Sequence, residues 1–352
     1  MVNDIVLYSC RSAYLDNDKV YPPLANLYLK SYINKCLPAV NVILGNDNYD
    51  DLSDIVDVKN VGISVMTPQR EEANKLVKRI HEMYPNKNII VGGPHVKNYL
   101  NDIVANSSID FLVPNDGEKA LVKILSGESE RVVDDRLSKE EIWFAPHPDR
   151  SSREAVSLLK KYNYLLNNKS ATSIMSSRGC PGKCAFCESS GEIVRKNSLN
   201  NFYNEVADIK NIGYEAVYIF DDLFTFDINR ARLYVDVLKK NGLIYRCNGQ
   251  VNYFTAKKEE FAKMLADTGC VEIAFGFESG SQKILNEVNK KTTVEQNYKA
   301  IEYAKKYGLK VKGFLMIGLP GESVETITET EMFIANSGLD DFQLVSFFPY
   351  KG

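Results

Sequence analysis

The sequence is poor in the features that mark several functional classes. It has one tryptophan and three histidines in 352 residues. No apolar stretch approaches the ~20 residues needed to span a bilayer, and Met1 to Ser9 lacks the basic start and long apolar core of a signal peptide. Neither sign of charge dominates: 43 basic against 46 acidic residues leave a formal net charge of −3. A general nucleic-acid binder, usually basic, is therefore not indicated. No G-x-G-x-x-G and no P-loop run occurs, so a dinucleotide or nucleoside triphosphate is not indicated either. The expectation is a cytoplasmic protein with a small-molecule substrate and neither a membrane nor a nucleic-acid partner. Disulfides are rare in that compartment.

What the chain does have is seven cysteines, an odd count with an uneven distribution. Three of them stand in the run Arg178-Gly-Cys-Pro-Gly-Lys-Cys-Ala-Phe-Cys-Glu188, directly after an apolar segment. Such clustering points to metal or redox use rather than a disulfide framework. Thiolates are soft, strong ligands for iron or zinc, and three from one short loop can converge without long-range folding. A structural zinc site wants four closed ligands, and the adjoining segments offer no histidine or further cysteine. A four-iron cluster on Cys180, Cys184 and Cys187 would keep one iron open for a substrate or cofactor. Cys10, Cys36, Cys247 and Cys270 stand singly in apolar segments and read as small buried hydrophobes.

The length allows two domains, each with its own core. From residue 3 to about 127, short β-type runs alternate with helical ones. Strands are expected at Asp4–Cys10, Asn41–Leu44, Val61–Met66, Asn88–Gly93 and Ile109–Val113. Helices are expected at Pro22–Leu37, about Gln69–Tyr84, Val96–Asn106 and Glu118–Leu125. This alternation implies an open, doubly wound parallel sheet, with ligands beyond the carboxyl ends of its strands. The loops at those ends are Ser64-Val-Met-Thr-Pro68, Gly92-Gly-Pro-His95 and Asn115-Asp-Gly-Glu118. Residues 128–170 lose the periodicity and read as a linker, with prolines around His147 and with Trp143 and Phe144 as its anchors.

A second alternation follows over residues 171–352. Strands are expected at Thr172–Ser176, Ala216–Asp221, Leu243–Asn248, Val271–Phe277, Val311–Ile317 and Phe342–Phe348. Helices are expected near Leu199–Ile212, Asn229–Asn241, Lys257–Thr268, Val294–Tyr307 and Ser323–Ser337. Thr293 with Gln296 forms a capping-box pattern, and Gly269 and Gly308 act as helix stops. Six βα units imply a partial barrel of the TIM type, with chemistry at the carboxyl ends of its strands. Those ends carry the cysteine loop, Asp221-Asp222, the group Arg246, Asn248 and Gln250, then Glu278-Ser279-Gly280, Gly318 to Glu322 and Phe347 to Tyr350. Asp227 and Glu322 are also suited to starting helices.

Two resemblances now bear on these motifs. Tyr21-Pro-Pro-Leu24, Gly62-Ile-Ser-Val-Met-Thr67, Gly92-Gly-Pro-His95 and Asp116-Gly-Glu118 resemble the cobalamin-binding domain found ahead of radical S-adenosylmethionine enzymes. The loop Cys180-x-x-x-Cys184-x-Phe186-Cys187 is similar to the signature of the radical S-adenosylmethionine family itself. Phe275-Gly-Phe-Glu-Ser-Gly280 and Gly313-Phe-Leu-Met-Ile-Gly-Leu-Pro-Gly-Glu322 are similar to that family's fourth and fifth strands. The D-x-H-x-x-G motif, whose histidine ligates cobalt in other cobalamin folds, is absent.

The resemblance implies a [4Fe–4S] cluster on the three cysteines, with S-adenosylmethionine chelated to the open iron by its methionyl amine and carboxylate. It implies Phe186 near the adenine, and Glu278 and Ser279 near the ribose or carboxylate. Gly318 would lie at the adenine, and Asp221 or Asp222 at the methionyl amine, with Asn248 among the cofactor contacts. It further implies cobalamin stacked between the two domains, held through Ser64, Thr67, Gly92, Gly93, Pro94, His95, Asp116, Gly117 and Glu118. The substrate pocket would draw on Arg246, Gln250 and Tyr253. One electron from a flavodoxin- or ferredoxin-type donor would yield a 5′-deoxyadenosyl radical, and methylcobalamin would then methylate an unactivated carbon. Alternatives are a radical epimerase, rearrangement or cyclisation enzyme, or a cluster protein without turnover. Family members usually continue beyond the point where this chain stops, so either the chain is naturally short or a carboxyl-terminal segment is missing.

Overall fold

The computed structural model describes residues 4–12, 17–46 and 51–349. Tyr350, at the last of the strand ends named above, lies outside them. The chain divides after Tyr164 into two compact units.

The first unit holds five parallel strands, β1 (Ile5–Ser9), β2 (Val42–Leu44), β3 (Asn60–Ser64), β4 (Asn88–Gly92) and β5 (Phe111–Val113). Their order is β2-β1-β3-β4-β5. The strands are apolar on successive residues because both faces are covered. Val6, Val61, Ile63, Ile89 and Val91 pack with Leu76, Val77 and Ile80 of α2 (Arg70–Met83). Ile5, Leu7, Ile90 and Val113 pack on the other face with Ile33 of α1 (Leu24–Cys36) and with Leu121 and Ile124 of α4 (Gly117–Leu125). A further helix, α3 (Pro94–Ile103), leaves β4. This is the doubly wound sheet read from the sequence. Cys10 is buried, but Cys36 ends α1 in the open rather than inside the core.

Residues 128–164 pack within this unit and carry two short helices, α5 (Lys139–Phe144) and α6 (Arg153–Leu159). Ser138 and Glu141 close a capping box on α5. Lys119 lies 2.9 Å from both Asp135 and Glu141, and Lys30 lies 2.7 Å from Glu154. The anchoring expected of Trp143 and Phe144 does not occur. Both are exposed, because the helical phase of α5 turns Ile142 inward and its next two neighbours outward.

The second unit is an open half-barrel. It begins with β6 (Leu165–Leu166), an antiparallel edge strand on β7 (Lys169–Ile174). A two-residue pair, β8 (Ser177–Arg178) and β9 (Arg195–Lys196), follows β7. Then come α7 (Leu199–Ile212), β10 (Ala216–Ile219), α8 (Ile228–Lys240), β11 (Ile244–Gly249), α9 (Val251–Ala256) and α10 (Glu259–Asp267). The unit continues with β12 (Cys270–Glu278), α11 (Gln282–Glu287), α12 (Val294–Lys306), β13 (Lys310–Ile317), α13 (Val324–Asn336) and β14 (Asp341–Ser346). The sheet runs β14-β13-β12-β11-β10-β7-β6, with the six strands after β6 all parallel. Val217, Ile219, Tyr245, Cys247, Ile273, Phe275, Val311 and Leu315 join the helices in one large core. The alternate residues Tyr218, Arg246, Asn248 and Glu272 are left to the opposite, concave face. Thr293 and Gln296 form the expected capping box, and Gly269 and Gly308 end their helices at positive φ.

Candidate active site

The cysteine loop is an excursion from the β8–β9 pair, and a buried polar network fixes its start. Asp221 accepts from Ser176 N at 2.7 Å, Ser176 Oγ at 2.5 Å and Ser177 Oγ at 2.7 Å. Arg230 lies 3.1 Å from the same carboxylate and donates to both serine hydroxyls. Asp221 is thereby taken up inside the protein. Asp222 turns the other way and accepts from Gly179 N at 2.7 Å, one residue before Cys180. Gly179 has φ 91° and lies so close to the Ile193 carbonyl that a β-carbon would not fit. Burial, with help from Asp221 and Glu192, holds the Asp222 carboxyl above its ordinary range.

The far side of the loop is docked on the segment after β12. Ala185 N donates to Val288 O at 3.0 Å, and Asn289 Nδ2 donates to Lys183 O at 2.6 Å. Phe186 packs against Ile284, Val288 and Leu319, with Met316 and Phe347 beside it. Over its ring, 5.8 Å from the centroid, stands the ammonium of Lys290, a favourable site for a cation. Lys290 is buried and lies 2.7 Å from the buried Glu278 carboxylate. A register shift between β12 and β13, with Glu278 at φ 63°, turns that carboxylate toward Lys290. A side chain at this φ is uncommon and marks a position the surroundings over-determine. Gly276 makes room for the pair: a β-carbon there would overlap Glu278 Oε1 and stand 3.0 Å from Lys290 Nζ. Burial alone would lower the Lys290 pKa, but Glu278, Cys184 and Cys187 outweigh it and raise it.

The remaining strand-end groups divide between open and internally bonded positions. Ser279 is fully buried, its hydroxyl 3.0 Å from Thr330 Oγ1 of α13. Gly318 has φ 84°, nothing nearer than Phe347 Cβ at 4.0 Å from a built β-carbon, and an N–H bonded to Glu322 at 2.5 Å. Asp227 is the N-cap of α8. Arg246 pairs with Glu272 at 3.1 Å and stacks 4.4 Å from the Tyr218 ring centroid, while Tyr218 donates to Asn248 at 2.9 Å. Gln250 is buried at the end of β11, and Tyr253 packs edge-on to Phe226 with centroids 5.2 Å apart. In the first unit, Ser64, Thr67, Gly92, Gly93, Pro94 and His95 do come together at one sheet edge. His95 N donates to Val65 O at 3.1 Å and its Nδ1 lies 3.4 Å from Thr67 Oγ1. Asp116, Gly117 and Glu118 open α4 after β5, with Gly117 set against Leu29.

The three thiols are in no disulfide. Burial raises each of them, Cys187 to about 11, and Lys290 opposes the rise at Cys180 and Cys184. Metal uptake would therefore displace protons, as thiolate ligation requires. Among the described residues, no three His, Cys, Asp or Glu groups are gathered to hold a single ion. In a four-iron cluster each thiolate binds a different iron, and three thiols along one partly open loop, beside a buried cation, fit a cluster with one iron left open.

Residues 174–334 match the profile of the Radical SAM superfamily. The second unit carries a radical SAM domain. Across the wider chain, 29% identity over 359 residues relates it to an uncharacterised methyltransferase of Pyrococcus horikoshii, covering 94% of this chain and 77% of the relative. Its fold is similar to that of OxsB, a cobalamin-dependent S-adenosylmethionine radical enzyme, with a TM-score of 0.78 and 19% identity over 94% of this chain. The chain spans about half, 52%, of OxsB. The radical S-adenosylmethionine methyltransferase TsrM of Kitasatospora setae gives a TM-score of 0.76 at 16% identity, covering 98% of this chain and 72% of TsrM.

In the radical SAM domain the sequence signals Cys180, Cys184, Cys187, Phe186, Glu278 and Gly318 but is silent on Lys290 and Arg230. Lys290 sits in Asn289-Lys290-Lys291, which looks like a solvated charge run. Arg230 sits one turn into α8, where an arginine ordinarily faces water. The usable signal was the buried carboxylates themselves, Asp221 and Glu278, each of which needs a cation if it is to stay charged away from water.

Proposed function

We propose that the chain is a cobalamin-dependent radical S-adenosylmethionine methyltransferase acting on an unactivated carbon of a small molecule. The observation that carries the reading is the cysteine loop, clamped at one end by Asp222 and at the other by Val288 and Lys290, at the carboxyl ends of a half-barrel. Cys180, Cys184 and Cys187 would hold a [4Fe–4S] cluster, which when bound supplies the electron for reductive cleavage of S-adenosylmethionine. Phe186 and Leu319 offer an apolar face beside the open backbone of Gly318, suited to a flat base. Lys290 offers a buried positive charge for a carboxylate, 2.7 Å from Glu278. The half-barrel face beneath, floored by the Arg246–Glu272 pair, would exclude water from the reacting carbon.

The first unit supports the cobalamin part of the reading. Its sheet order reverses between β1 and β3, and Ser64 ends β3 there. Thr67 and His95 stand beside it with hydroxyl and imidazole groups that can bond the amide arms of a corrin. We assign the cobalamin role to residues 1–127, with 128–164 packed in the same unit, and the cluster to the barrel that begins at Leu165, with an external flavodoxin- or ferredoxin-type electron donor. No helix among the described residues is long and apolar enough to cross a membrane. Anaerobic reconstitution with iron, sulfide and cobalamin is the test. Retention of both cofactors, with label from methyl-labelled S-adenosylmethionine appearing in a product, is expected. Uptake of the cluster without cobalamin would remove methyl transfer from the proposal.

A further inference from the structure

An amine that gives its lone pair to iron keeps its hydrogens, and inside a protein those hydrogens need an acceptor. The carboxylates at the end of β10 are both engaged: Asp221 by Ser176, Ser177 and Arg230, and Asp222 by Gly179 N and Ser189 Oγ. Asn248 Oδ1 receives the Tyr218 hydroxyl, and Glu278 Oε1 receives Lys290. Among these strand-end acceptors Gln250 Oε1 stands apart, since it is buried and has no hydrogen-bond partner. Its residue is 9% exposed, and leaving such a group unpaired is costly unless a ligand completes it.

The direction of that oxygen is set by the fold. Gln250 N donates to Thr225 Oγ1 at 2.9 Å, and Thr225 is fully buried. Gly249, just before it, is packed so tightly that a β-carbon would stand 2.8 Å from Phe275 and 3.0 Å from Thr225. With its backbone held this way, the side chain reaches the cysteine loop. Gln250 Oε1 lies 4.0 Å from where a β-carbon on Gly182 would be, and Cys180 Sγ lies 3.2 Å from the same point.

We propose that Gln250 is the acceptor for the methionyl amine of S-adenosylmethionine in this chain, in the role first looked for at Asp221 or Asp222. The assignment rests on the reading of the loop as a cluster-bound S-adenosylmethionine seat. It makes Gln250 a ligand-positioning residue that recognises the amino-acid half of the ligand and not its nucleoside half.

The test uses the full chain, reconstituted anaerobically with iron and sulfide, and two probes in equilibrium dialysis. S-adenosylhomocysteine carries the amine; 5′-methylthioadenosine has the same nucleoside and sulfur but no amino-acid group. Gln250→Leu should bind S-adenosylhomocysteine about tenfold more weakly than the unaltered protein, the size of one hydrogen bond to a polarised donor. Its affinity for 5′-methylthioadenosine should stay within about twofold. Gln250→Glu, which keeps an acceptor, should hold S-adenosylhomocysteine at least as well as glutamine does. Iron content and far-UV circular dichroism check each protein, and Gln250→Met replaces the leucine variant if that one fails to keep its cluster. Equal loss of both probes, or no loss of S-adenosylhomocysteine, overturns the assignment. Failure of the unaltered, iron-loaded protein to bind either probe would instead overturn the S-adenosylmethionine seat on which it rests.

Discussion

Replacing Lys290 with methionine should destabilise the second unit and leave the first unchanged. The substitution keeps most of the side-chain volume but strands the Glu278 carboxylate, now 2.7 Å from its cation with the two side chains 8% and 6% exposed. Removing one partner of a buried ion pair costs about 3–5 kcal/mol, and for a unit of this size that lowers the melting temperature by about 10 °C. The pair itself is not worth that much, since most of the cost is the uncompensated charge. Lys290→Met combined with Glu278→Gln should therefore recover the larger part of the loss. The first unit carries its own reporter, Trp143, the one tryptophan of the chain. Urea unfolding followed by far-UV circular dichroism should show the loss, while the Trp143 fluorescence transition stays in place. The Lys290 pKa is raised above its ordinary 10.5. Its stabilising contribution is thus fully present below the unfolded-state value and is lost only as pH rises through the folded one. The cost of the substitution should accordingly be flat from about pH 6 to pH 9. A loss below about 0.5 kcal/mol, the level of an ordinary surface change, would refute the account of Glu278 and Lys290 as a buried pair.

Other outcomes follow from the same geometry. Changing Cys180, Cys184 and Cys187 together to alanine should abolish iron uptake in an iron and sulfide assay while the Trp143 transition is unaltered. Asp221→Asn should cost about 3 kcal/mol by leaving Arg230 buried without its counter-charge, whereas Asp222→Asn, which strands no cation and keeps an acceptor for Gly179 N, should cost under about 1 kcal/mol; chemical denaturation distinguishes them. Gly276→Ala should weaken the second unit through its overlap with Glu278, and the effect should shrink in the Lys290→Met, Glu278→Gln background. In the first unit, burial, and then Arg70, lower the His95 pKa. The unfolded state takes up the proton first, so Trp143-monitored stability should fall as pH drops through about 6.5, and His95→Gln should flatten that fall.

Much of the fold was legible because both sheets use parallel strands buried on at least one face, which leave short apolar runs between amphipathic helices. Short elements were not. Helices α5, α6, α9 and α11 have six or seven residues each, too few for a 3.6-residue period to repeat convincingly. At the site, the residue types were legible but not their orientation. Asp221 and Asp222 are adjacent and chemically identical, yet one faces Arg230 and the other the cysteine loop. Which is which depends on where β10 stops at Ile219, a boundary that the sequence reading put two residues too late. Ser279 was misleading for a related reason. The register shift that turns Glu278 toward Lys290 also sends the following side chain into α13, where Thr330 receives it.

That shift joins the strand to the cysteine loop. A regular β12 would continue to alternate its side chains, and Glu278 would fall where the pattern from Gly276 placed it. The positive φ at Glu278 costs about 1–3 kcal/mol wherever such a conformation is held. It persists because the carboxylate then meets Lys290, and Lys290 in turn lies over Phe186 within the loop between Cys184 and Cys187. Val288 and Asn289, on the same short segment as Lys290, bond the loop backbone at Ala185 and Lys183. Removal of Lys290 should therefore act on the cysteines as well as on stability. With the cation gone, Cys184 loses the neighbour that opposes its burial, and thiolate formation at this position becomes harder. The Lys290→Met protein should take up iron more slowly than the unaltered protein at neutral pH, and the gap should narrow as pH rises. Equal uptake rates at every pH would mean that the strand and the loop are neighbours without being coupled.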